Sequence, residues 1–456
     1  MTYGKVESFI YVFSRVYYNE TIKCEEEKHM KMKRVIAVLM TAALSAGMLA
    51  GCGGSGEDEK SSGSGKVELE FFTQKREASE TFDKIIEAFN ESQDEIVVTQ
   101  NIVPDATSVL MSRAATGDLP DIIQVGGMQD ANTMQFMKEG HFLDLTGMEC
   151  LNNVVDEYQE AIKFKGKNYV VPISANFSGV FYNKDMFEEA GYTVPQTYDE
   201  LISLAQKIKD NGETPFLFPD KDAWTLVQCW EDNIDGSARG DRSQVYKDIA
   251  NGVTTFEDDA LFQETLQKVI DIREYGQGDT LSLGYDQAIS DFATGKSYMF
   301  MQGIWALPSI KKANPDMNIG MFSFPSSDGD TKVSMGIDVN LAISAKGDHI
   351  EEAKEFVEFA ASKDMVQLYV DNDYSIPCMK DVTANIPEAQ EIVDLVNEGK
   401  GVLQATALPK AVADERQNTI QKVTVKDGGE DVNTFLSNLT KVFQDNKEEF
   451  LELYGE

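Results

Sequence analysis

The sequence predicts an α/β fold, and two features support this. Segments in which apolar residues occupy every second position, as in a strand, alternate with segments in which they recur at helical spacing. The chain is also long, at 456 residues, which is enough for a large core and usually for more than one domain. We therefore expect strands assembled into sheets that are covered by helices.

The first predicted elements are marked clearly. The segment VELEFF at 67–72 alternates and ends in two aromatic residues, which is typical of a strand. The helix after it has an apolar face of residues at i, i+3, i+4 and i+7: Phe82, Ile85, Ile86 and Phe89. The next two strands are predicted at IVVTQNIV (96–103) and PDIIQVGG (120–127). Such stripes indicate core packing rather than ligand contacts.

A later helix carries signals at both ends. Thr197 is a favourable N-cap residue, and Glu200, three residues on, completes a capping box. Gly212 is typical of the position after a helix end. The face that we expect to be buried consists of Leu201, Leu204, Ala205 and Ile208.

The amino-terminal part has the pattern of a secretory signal. Three basic residues, at 31, 33 and 34, precede a short apolar segment, Val35–Leu44, that ends in small residues. This segment is too short and too rich in small residues for a membrane span. Leu49-Ala50-Gly51-Cys52 resembles the lipobox of bacterial lipoproteins, which implies that Cys52 becomes the lipidated first residue of the mature protein.

We divide this region into three parts. Residues 1–29 precede the signal and end in EEEKH before Met30, which has the form of a ribosome-binding site read as protein. We therefore expect translation to start at Met30 or Met32, with a lipoprotein signal peptide at 30–51. Residues 52–66, CGGSGEDEKSSGSGK, predict a flexible tether.

The composition excludes several classes of function. The formal net charge is −36, and such a surface repels phosphate backbones, so we expect no nucleic-acid partner. After the signal and Cys52, the cysteines Cys150, Cys229 and Cys378 are widely spaced, which argues against a disulfide framework but leaves one pair open. Only His141 and His349 remain there, so we expect neither a histidine-based zinc site nor a catalytic triad. No metal and no cofactor are expected.

An ordered set of segments resembles one family, the extracellular solute-binding proteins of ABC importers, in the carbohydrate-binding branch that includes maltodextrin-binding proteins. The segments are ATGDLPDII (115–123), YVVPISANFSGVFYNKDMFEEAGYTVPQTYDEL (169–201), FATGKSYMFMQGIWALPSI (292–310), GIDVNLAIS (336–344), EEAKEFVEFAAS (351–362) and YSIPCMKDV (374–382). The segment FFTQKREASETFDKIIEAFN looks most like receptors for raffinose-type and mixed oligosaccharides from Gram-positive bacteria.

The resemblance implies a periplasmic-binding-protein-like fold, with two lobes, a hinge and a ligand cleft between the lobes. We expect the amino-terminal lobe to comprise residues 67–174 and 337–375, and the carboxyl-terminal lobe residues 175–336 and 376–456. Three chain crossings are expected, near Ile173–Asn176, Ser334–Asp338 and Tyr374–Pro377. Closure of such a hinge would hold the ligand.

A site for a neutral sugar needs an aromatic wall, planar hydrogen-bonding side chains and little net charge. The candidate positions contain no basic constellation, which fits this requirement. Trp305 matches an aromatic residue that stacks on sugars in maltodextrin-binding relatives, the alternative being a core tryptophan. Trp224 lies where relatives place a second pocket aromatic, or it packs half-buried against its lobe. Trp230 is assigned to packing.

The polar candidates lie at the predicted crossings and strand ends. Asn176 stands where maltodextrin-binding members carry a carboxylate, which argues against maltodextrin; a hinge turn is its alternative role. Asp338 is expected to bind two adjacent sugar hydroxyls; the alternative is a turn residue whose carboxylate accepts hydrogen bonds from backbone amides. For Lys75 we expect a solvated surface position. The remaining candidates follow two predicted strands, whose ends we expect at the edge of the pocket, or lie on a loop with Trp305. They are Thr73, Gln74, Gly126 and Gly127 after the strands, and Gln302 on the loop.

The sequence thus predicts a monomeric, lipid-anchored receptor at the extracellular face of the cell membrane. It would capture a carbohydrate, which we expect to be an oligosaccharide, and deliver it to ABC permease subunits without covalent chemistry. Two alternatives stay open at this point. One is a secreted glycosidase, since sugar clefts with paired carboxylates serve both functions. The other is the same fold with a peptide, polyamine or anion as its solute.

Overall fold

The structure is a computed structural model of the chain and describes residues 65–103, 106–425 and 429–455. The predicted signal peptide, the lipidation site Cys52 and most of the tether lie outside these residues, as does the predicted 1–29 extension. Within the described part of the chain, strands and helices alternate as predicted, and no helix there has the length and apolar character needed to cross a membrane.

Strands β1–β11 form a nine-stranded sheet system and one separate hairpin. The strands are β1 (Val67–Thr73), β2 (Ile96–Ile102), β3 (Ile122–Val125), β4 (Lys163–Phe164), β5 (Lys167–Asn168), β6 (Val171–Asn183), β7 (Met299–Gly303), β8 (Ile319–Phe322), β9 (Val333–Ile343), β10 (Ile376–Pro377) and β11 (Gly401–Leu403). The order of the main path is β10-β6-β9-β3-β1-β2, with β7 and β8 paired to β6, and β11 to β9. The strands β1, β2 and β3 pair in parallel, whereas β9 runs antiparallel to β3 and β6.

The helices cover these strands. They are α1 (Ser79–Ser92), α2 (Ala106–Thr116), α3 (Ala131–Lys138), α4 (Asp156–Ala161), α5 (Lys184–Ala190), α6 (Tyr198–Asp210), α7 (Asp232–Arg239), α8 (Ser243–Ala250), α9 (Ala260–Asp271), α10 (Tyr285–Ala293), α11 (Leu307–Ala313), α12 (Ile350–Ala360), α13 (Lys363–Asp373), α14 (Gln390–Leu395), α15 (Lys410–Thr424) and α16 (Val432–Tyr454). Two π-helical segments, Thr225–Glu231 and Val396–Lys400, and several short 3₁₀ turns complete the set.

The predicted local elements agree closely with the structure. The four apolar residues of α1 and the four of α6 are all buried. Thr197 caps α6, because its hydroxyl accepts a hydrogen bond from the Glu200 backbone N–H at 3.3 Å. The reciprocal bond differs from the expected capping box, since Glu200 accepts from the N–H of Gln196 instead of that of Thr197. Gly212 follows the helix with a φ of 81°.

The long strand β6 belongs to two groups of strands. Its first half pairs with β9 and β10, and its second half, from Ser178, pairs with β7 and β8. The three segments predicted as crossings lie side by side, because Ala175 pairs with both Ile337 and Ile376. This adjacency is what a hinge built from three crossings requires; the lobe boundaries themselves stay a prediction.

The buried apolar side chains form two clusters. The larger one surrounds β1, β3 and β9 and includes Phe71 and Phe356. The second surrounds α6, the first π-helical segment and α16, and includes Trp230 and Phe443. The strand β6 contributes to both clusters, which anchors the two parts of the molecule to one element.

Candidate functional site

A cavity of about 1180 Å³ lies where β1, β3, β6 and β9 present their ends or edges. Its wall includes Gln74 after β1, Gly126 and Gly127 after β3, and Asn176 on β6. This position agrees with the general rule that ligands of open α/β sheets bind outside the carboxyl ends of the strands. The volume exceeds the range of about 300–1,000 Å³ that is typical of small-molecule sites, so the cavity has room for more than a single sugar ring.

Three aromatic side chains form one wall of the cavity, which we call the aromatic wall: Trp224, Tyr285 and Trp305. The Trp224 ring lies 5.0 Å from that of Tyr285, in an edge-on arrangement, and 6.5 Å from that of Trp305. The Trp305 ring lies directly against Gly303, where an added Cβ would be 2.0 Å from Cζ3. Gly303 therefore leaves the space that the Trp305 ring occupies.

Tyr285 was not among the candidates from the sequence, because no quoted motif includes it. It begins α10, where its backbone N–H donates to Oδ2 of Asp222 at 2.7 Å. The hydroxyl oxygen is buried and has no hydrogen-bond partner within the described chain. Burial raises the pKa of Tyr285 well above its usual value, and the nearby Glu77 carboxylate adds to this effect. The hydroxyl is thus a neutral, enclosed group on a side chain that lines the cavity.

Lys75 is buried, with 5 % of its surface exposed, so the expectation of a solvated lysine was wrong. Its ammonium pairs with Asp338, and lies 3.5 Å from Asp373 and 4.0 Å from Glu77. Burial opposes the charged form of Lys75, but the Asp338 and Asp373 carboxylates hold its pKa well above the usual value. Burial raises the pKa of Asp373 to about 7 and also raises that of Glu77.

Asp338 lines the cavity on strand β9, not in a turn. Its Oδ2 contacts the Lys75 ammonium, so the alternative of a turn aspartate satisfied by backbone amides does not describe it. Gly127 permits the close approach of this strand, because a Cβ there would lie 2.5 Å from the carbonyl oxygen of Ile337. The cavity edges at β3 and β9 are therefore in direct contact.

A second group of charged and polar side chains, which we call the arginine cluster, consists of Glu231, Asp232, Arg242, Gln404 and Arg416. The last four line the cavity, and Glu231 forms an ion pair with Arg416 at 3.3 Å. The Asp232 carboxylate forms ion pairs with the guanidinium groups of Arg242 and Arg416, and the distance to Arg416 is 2.6 Å. Burial raises the pKa of Glu231 to about 7. Burial also opposes ionisation of Asp232, but Arg242 and Arg416 hold its pKa below the usual value. The expectation that the site lacks a basic constellation was wrong.

The remaining candidates divide into two groups. Gln74, Gly126, Gly127, Asn176, Trp224, Trp305 and Asp338 line the cavity. Thr73 and Gln302 are fully enclosed instead: the Thr73 hydroxyl donates to Gln124 at 3.0 Å, and Gln302 accepts from the Cys229 thiol at 3.1 Å. Gln302 belongs to strand β7 rather than to a loop. Trp230 is buried in the core, 4.9 Å from the ring of Phe218, as expected for packing.

The comparison with known proteins identifies the family. The profile of the bacterial extracellular solute-binding proteins matches residues 73–367. The chain belongs to this family. It is 34 % identical over 359 residues to the multiple sugar-binding protein of Streptococcus mutans, covering 77 % of this chain and 84 % of that protein. It is also 25 % identical over 299 residues to the melibiose/raffinose/stachyose-binding protein MelE of Bacillus subtilis, covering 62 % of this chain and 67 % of MelE.

The structure of this solute-binding protein also resembles solved ones. It matches the solute-binding protein RafE in complex with raffinose with a TM-score of 0.73 and 27 % identity, over 84 % of this chain and all of RafE. The predicted family, its carbohydrate branch and the periplasmic-binding-protein fold are thereby confirmed. Members of this family bind solutes and do not catalyse reactions, so the glycosidase alternative is set aside.

Proposed function

We propose that this protein captures a neutral oligosaccharide in the cavity and delivers it to the permease of an ABC importer. The observation that carries the proposal is the aromatic wall of Trp224, Tyr285 and Trp305, which lines the same cavity as hydrogen-bonding groups such as Asn176 and Asp338. A pyranose has an apolar ring face and an equatorial belt of hydroxyls. An aromatic wall opposite planar amides and carboxylates complements both.

The charge of the cavity wall supports a neutral ligand. The chain carries a formal charge of −36, yet six cationic side chains and seven carboxylates line the cavity, so their charges nearly cancel. Buried charged groups there are also paired with one another, as in the contacts of Lys75 with Asp338 and of Arg242 with Asp232. A polyamine site would need an excess of carboxylates, and an anion site unpaired cations.

The names of the relatives point in the same direction. A multiple sugar-binding protein, a melibiose/raffinose/stachyose-binding protein and a raffinose-bound structure are among the proteins to which this chain is similar. We infer that its ligand is a raffinose-type oligosaccharide. Calorimetry of the purified protein with raffinose, stachyose, melibiose, spermidine and a tripeptide tests this. Saturable binding of the sugars alone supports the proposal, and binding of only the amine or the peptide refutes it.

We further propose that the protein is held at the outer face of the membrane through lipid on Cys52. The LAGC sequence and the preceding signal pattern support this, and the tether of 52–66 would reach about 20 Å as a flexible coil. Two acyl chains give stable anchoring, whereas a single chain binds a membrane only marginally. Replacement Cys52→Ala should release the protein from cells while sugar affinity stays unchanged. Retention of the variant in the membrane fraction would contradict the anchor.

A further inference from the structure

Four charged side chains, which we call the lysine cluster, meet between the cavity and the adjacent crossing segments: Lys75, Glu77, Asp338 and Asp373. Lys75 pairs with Asp338, and its Nζ lies 3.5 Å from Oδ2 of Asp373 and 4.0 Å from Oε1 of Glu77. Lys75, Glu77 and Asp338 line the cavity, whereas Asp373 does not. Asp373 is the last residue of α13, and Tyr374 after it has a φ of 55° and leads into β10. The lysine cluster therefore connects the cavity to a crossing segment.

The lysine cluster contains three carboxylates and one ammonium group. With all four groups ionised, its net charge would be −2. Unbalanced charge is unfavourable where water is excluded, and a proton on one carboxylate relieves it. Asp373 is the most enclosed of the three, with 1 % of its side chain exposed, and both of its oxygens lack a hydrogen-bond partner among the described residues. Burial, which raises the pKa of Asp373 to about 7, places the proton on this group.

Three weakly acidic groups near the lysine cluster stay neutral. Burial raises the pKa of Tyr285, Tyr369 and Cys378 well above their usual values. Tyr369 lies on α13 itself, and the Asp373 carboxylate adds to the rise of its pKa. These groups therefore do not exchange protons near neutral pH.

The other cations near this end of α13 are engaged with other partners. The pairs are Lys84 with Asn372 at 2.9 Å, Lys311 with the Tyr374 hydroxyl at 3.3 Å, Arg76 with Asp286 at 3.7 Å, and Lys312 with Glu80 at 2.6 Å. Two of these cations thus contact the residues on either side of Asp373 rather than its carboxylate. Lys75 is the cation that Asp373 shares with Asp338 and Glu77.

A ligand in the cavity changes the surroundings of this cluster. The side chains of Glu77 and Asp338 are 20 % and 16 % exposed, so solvent reaches both through the cavity. A bound sugar displaces that solvent, and the loss of hydration disfavours the form of the cluster with the larger net charge. The form that carries the extra proton therefore binds the sugar more tightly. By linkage, the sugar raises the proton affinity of the cluster by the same factor.

We propose that sugar binding is coupled to the uptake of a proton by the lysine cluster, with Asp373 as the group that holds it. The inference rests on the proposed function, since the sugar is the ligand to which the proton is linked. When Asp373 is neutral, Lys75 engages Asp338 and holds this carboxylate in place for the sugar. When Asp373 is ionised, it competes with Asp338 for the same ammonium group. The protein therefore captures sugar more tightly in mildly acidic than in alkaline surroundings.

Calorimetry with raffinose, stachyose and melibiose tests the coupling in phosphate and in Tris. These buffers differ in their heats of ionisation, so the difference between the measured binding heats gives the number of protons exchanged. A rise of about tenfold in the proton affinity of the cluster predicts uptake of roughly half a proton at about pH 7.5 and almost none at about pH 5.5. The affinity for sugar should then fall by about fivefold or more between about pH 6 and pH 9.

Asp373→Asn makes this position permanently neutral. The variant should take up no proton and should bind sugar more tightly than the wild type at about pH 8.5. A purely structural role of Asp373 would not increase affinity at high pH. The matched control is Asp371→Asn, the same substitution on α13 at an exposed residue that accepts a hydrogen bond from Gln367 at 2.9 Å. This control should retain the wild-type proton uptake.

Glu231 is a second carboxyl group whose pKa is raised by burial to about 7, so Glu231→Gln distinguishes the two sources of a proton. No uptake by the wild type, uptake that persists in Asp373→Asn, or uptake that is lost in Glu231→Gln alone overturns the proposal. If Asp373→Asn does not fold, Glu77→Gln replaces it. Removal of that negative charge should move the uptake to lower pH, and an unchanged pH profile contradicts the coupling.

The same titrations separate this inference from the proposed function. If the wild-type protein binds none of the three sugars, the proposed function fails and the coupling fails with it. If the wild type binds sugar with no exchange of protons and with the same affinity from about pH 6 to pH 9, the proposed function stands and the coupling is overturned.

Discussion

The substitution Gly303→Ala moves the Trp305 ring without removing it. Gly303 has a φ of −76° and a ψ of 159°, which any residue adopts, so alanine brings no backbone strain. Its Cβ would nevertheless lie 2.0 Å from Cζ3 and 2.1 Å from Cη2 of Trp305. Carbon atoms in contact are about 3.5–4.0 Å apart. The ring must therefore move by roughly 1.5 Å or more.

This movement of the ring should lower ligand affinity more than it lowers the stability of the fold. The conflicting atoms belong to the outer edge of a half-buried ring, which can turn toward the cavity, so the fold loses about 1 kcal/mol, the lower end of the range for overpacking. In its new position the ring occupies space that the sugar needs and no longer lies against the sugar face. We expect affinity for the bound oligosaccharide to fall at least tenfold, which corresponds to about 1.4 kcal/mol.

Calorimetry with raffinose measures this effect, and thermal unfolding verifies the fold. The matched control is Gly278→Ala, because an added Cβ at Gly278 meets no atom within 4 Å and the residue lies outside the cavity wall. The control should bind as the wild type does. If Gly303→Ala binds raffinose with wild-type affinity and melts within a few degrees of the wild type, Trp305 is not a fixed wall and the reasoning is refuted.

Three further predictions follow from the same structure. Trp305→Ala should weaken raffinose binding by tenfold or more in calorimetry, because it removes the ring that closes the aromatic wall. Lys75→Met should destabilise the fold by about 3–5 kcal/mol in urea unfolding, because Asp338 and Asp373 lose their cation; additional Asp373→Asn should restore part of the loss. Burial raises the Glu231 pKa to about 7 from 4.5, so the folded state binds this proton more tightly than the unfolded state, and stability falls as pH rises between these values. Glu231→Gln should remove about 2–3 kcal/mol of that fall, measured as the difference between unfolding at about pH 5 and pH 8.

The local elements were predictable because their signals lie close together in the sequence. The helix α6 shows this well, since its cap, its buried face and the glycine after it all fall within sixteen residues, Thr197–Gly212. Periodicity determines which face of such a helix is apolar, and the apolar face is the one that packs. Trp305 and Asn176 reach the cavity as the resemblance implied. Their positions follow from strand ends and crossings that the family pattern marks.

The charged part of the site could not be predicted because its partners are distant in sequence. Lys75 and Asp338 are 263 positions apart, and a lysine two residues after a strand is more often solvated. Arg416 and Asp232 likewise meet only through the packing of α15 against the first π-helical segment. In a chain with 77 acidic residues, no carboxylate is distinguished by its presence alone. Tyr285 was missed for a related reason, since only the tertiary fold sets it beside Trp224.

The role of Asp338 changes once its contact with Lys75 is known. A free carboxylate at a cavity edge would have to be ordered by the ligand, which costs affinity. Asp338 is already ordered, because Lys75 engages Oδ2, and its other oxygen can accept from a sugar hydroxyl. Lys75 is in turn fixed by Asp373, the last residue of α13, which leads directly into the crossing segment that forms β10. The lysine therefore links the β1 edge of the cavity to two of the three adjacent crossings. Loss of this lysine should weaken sugar binding as well as stability, whereas a purely structural lysine far from the ligand would affect stability alone.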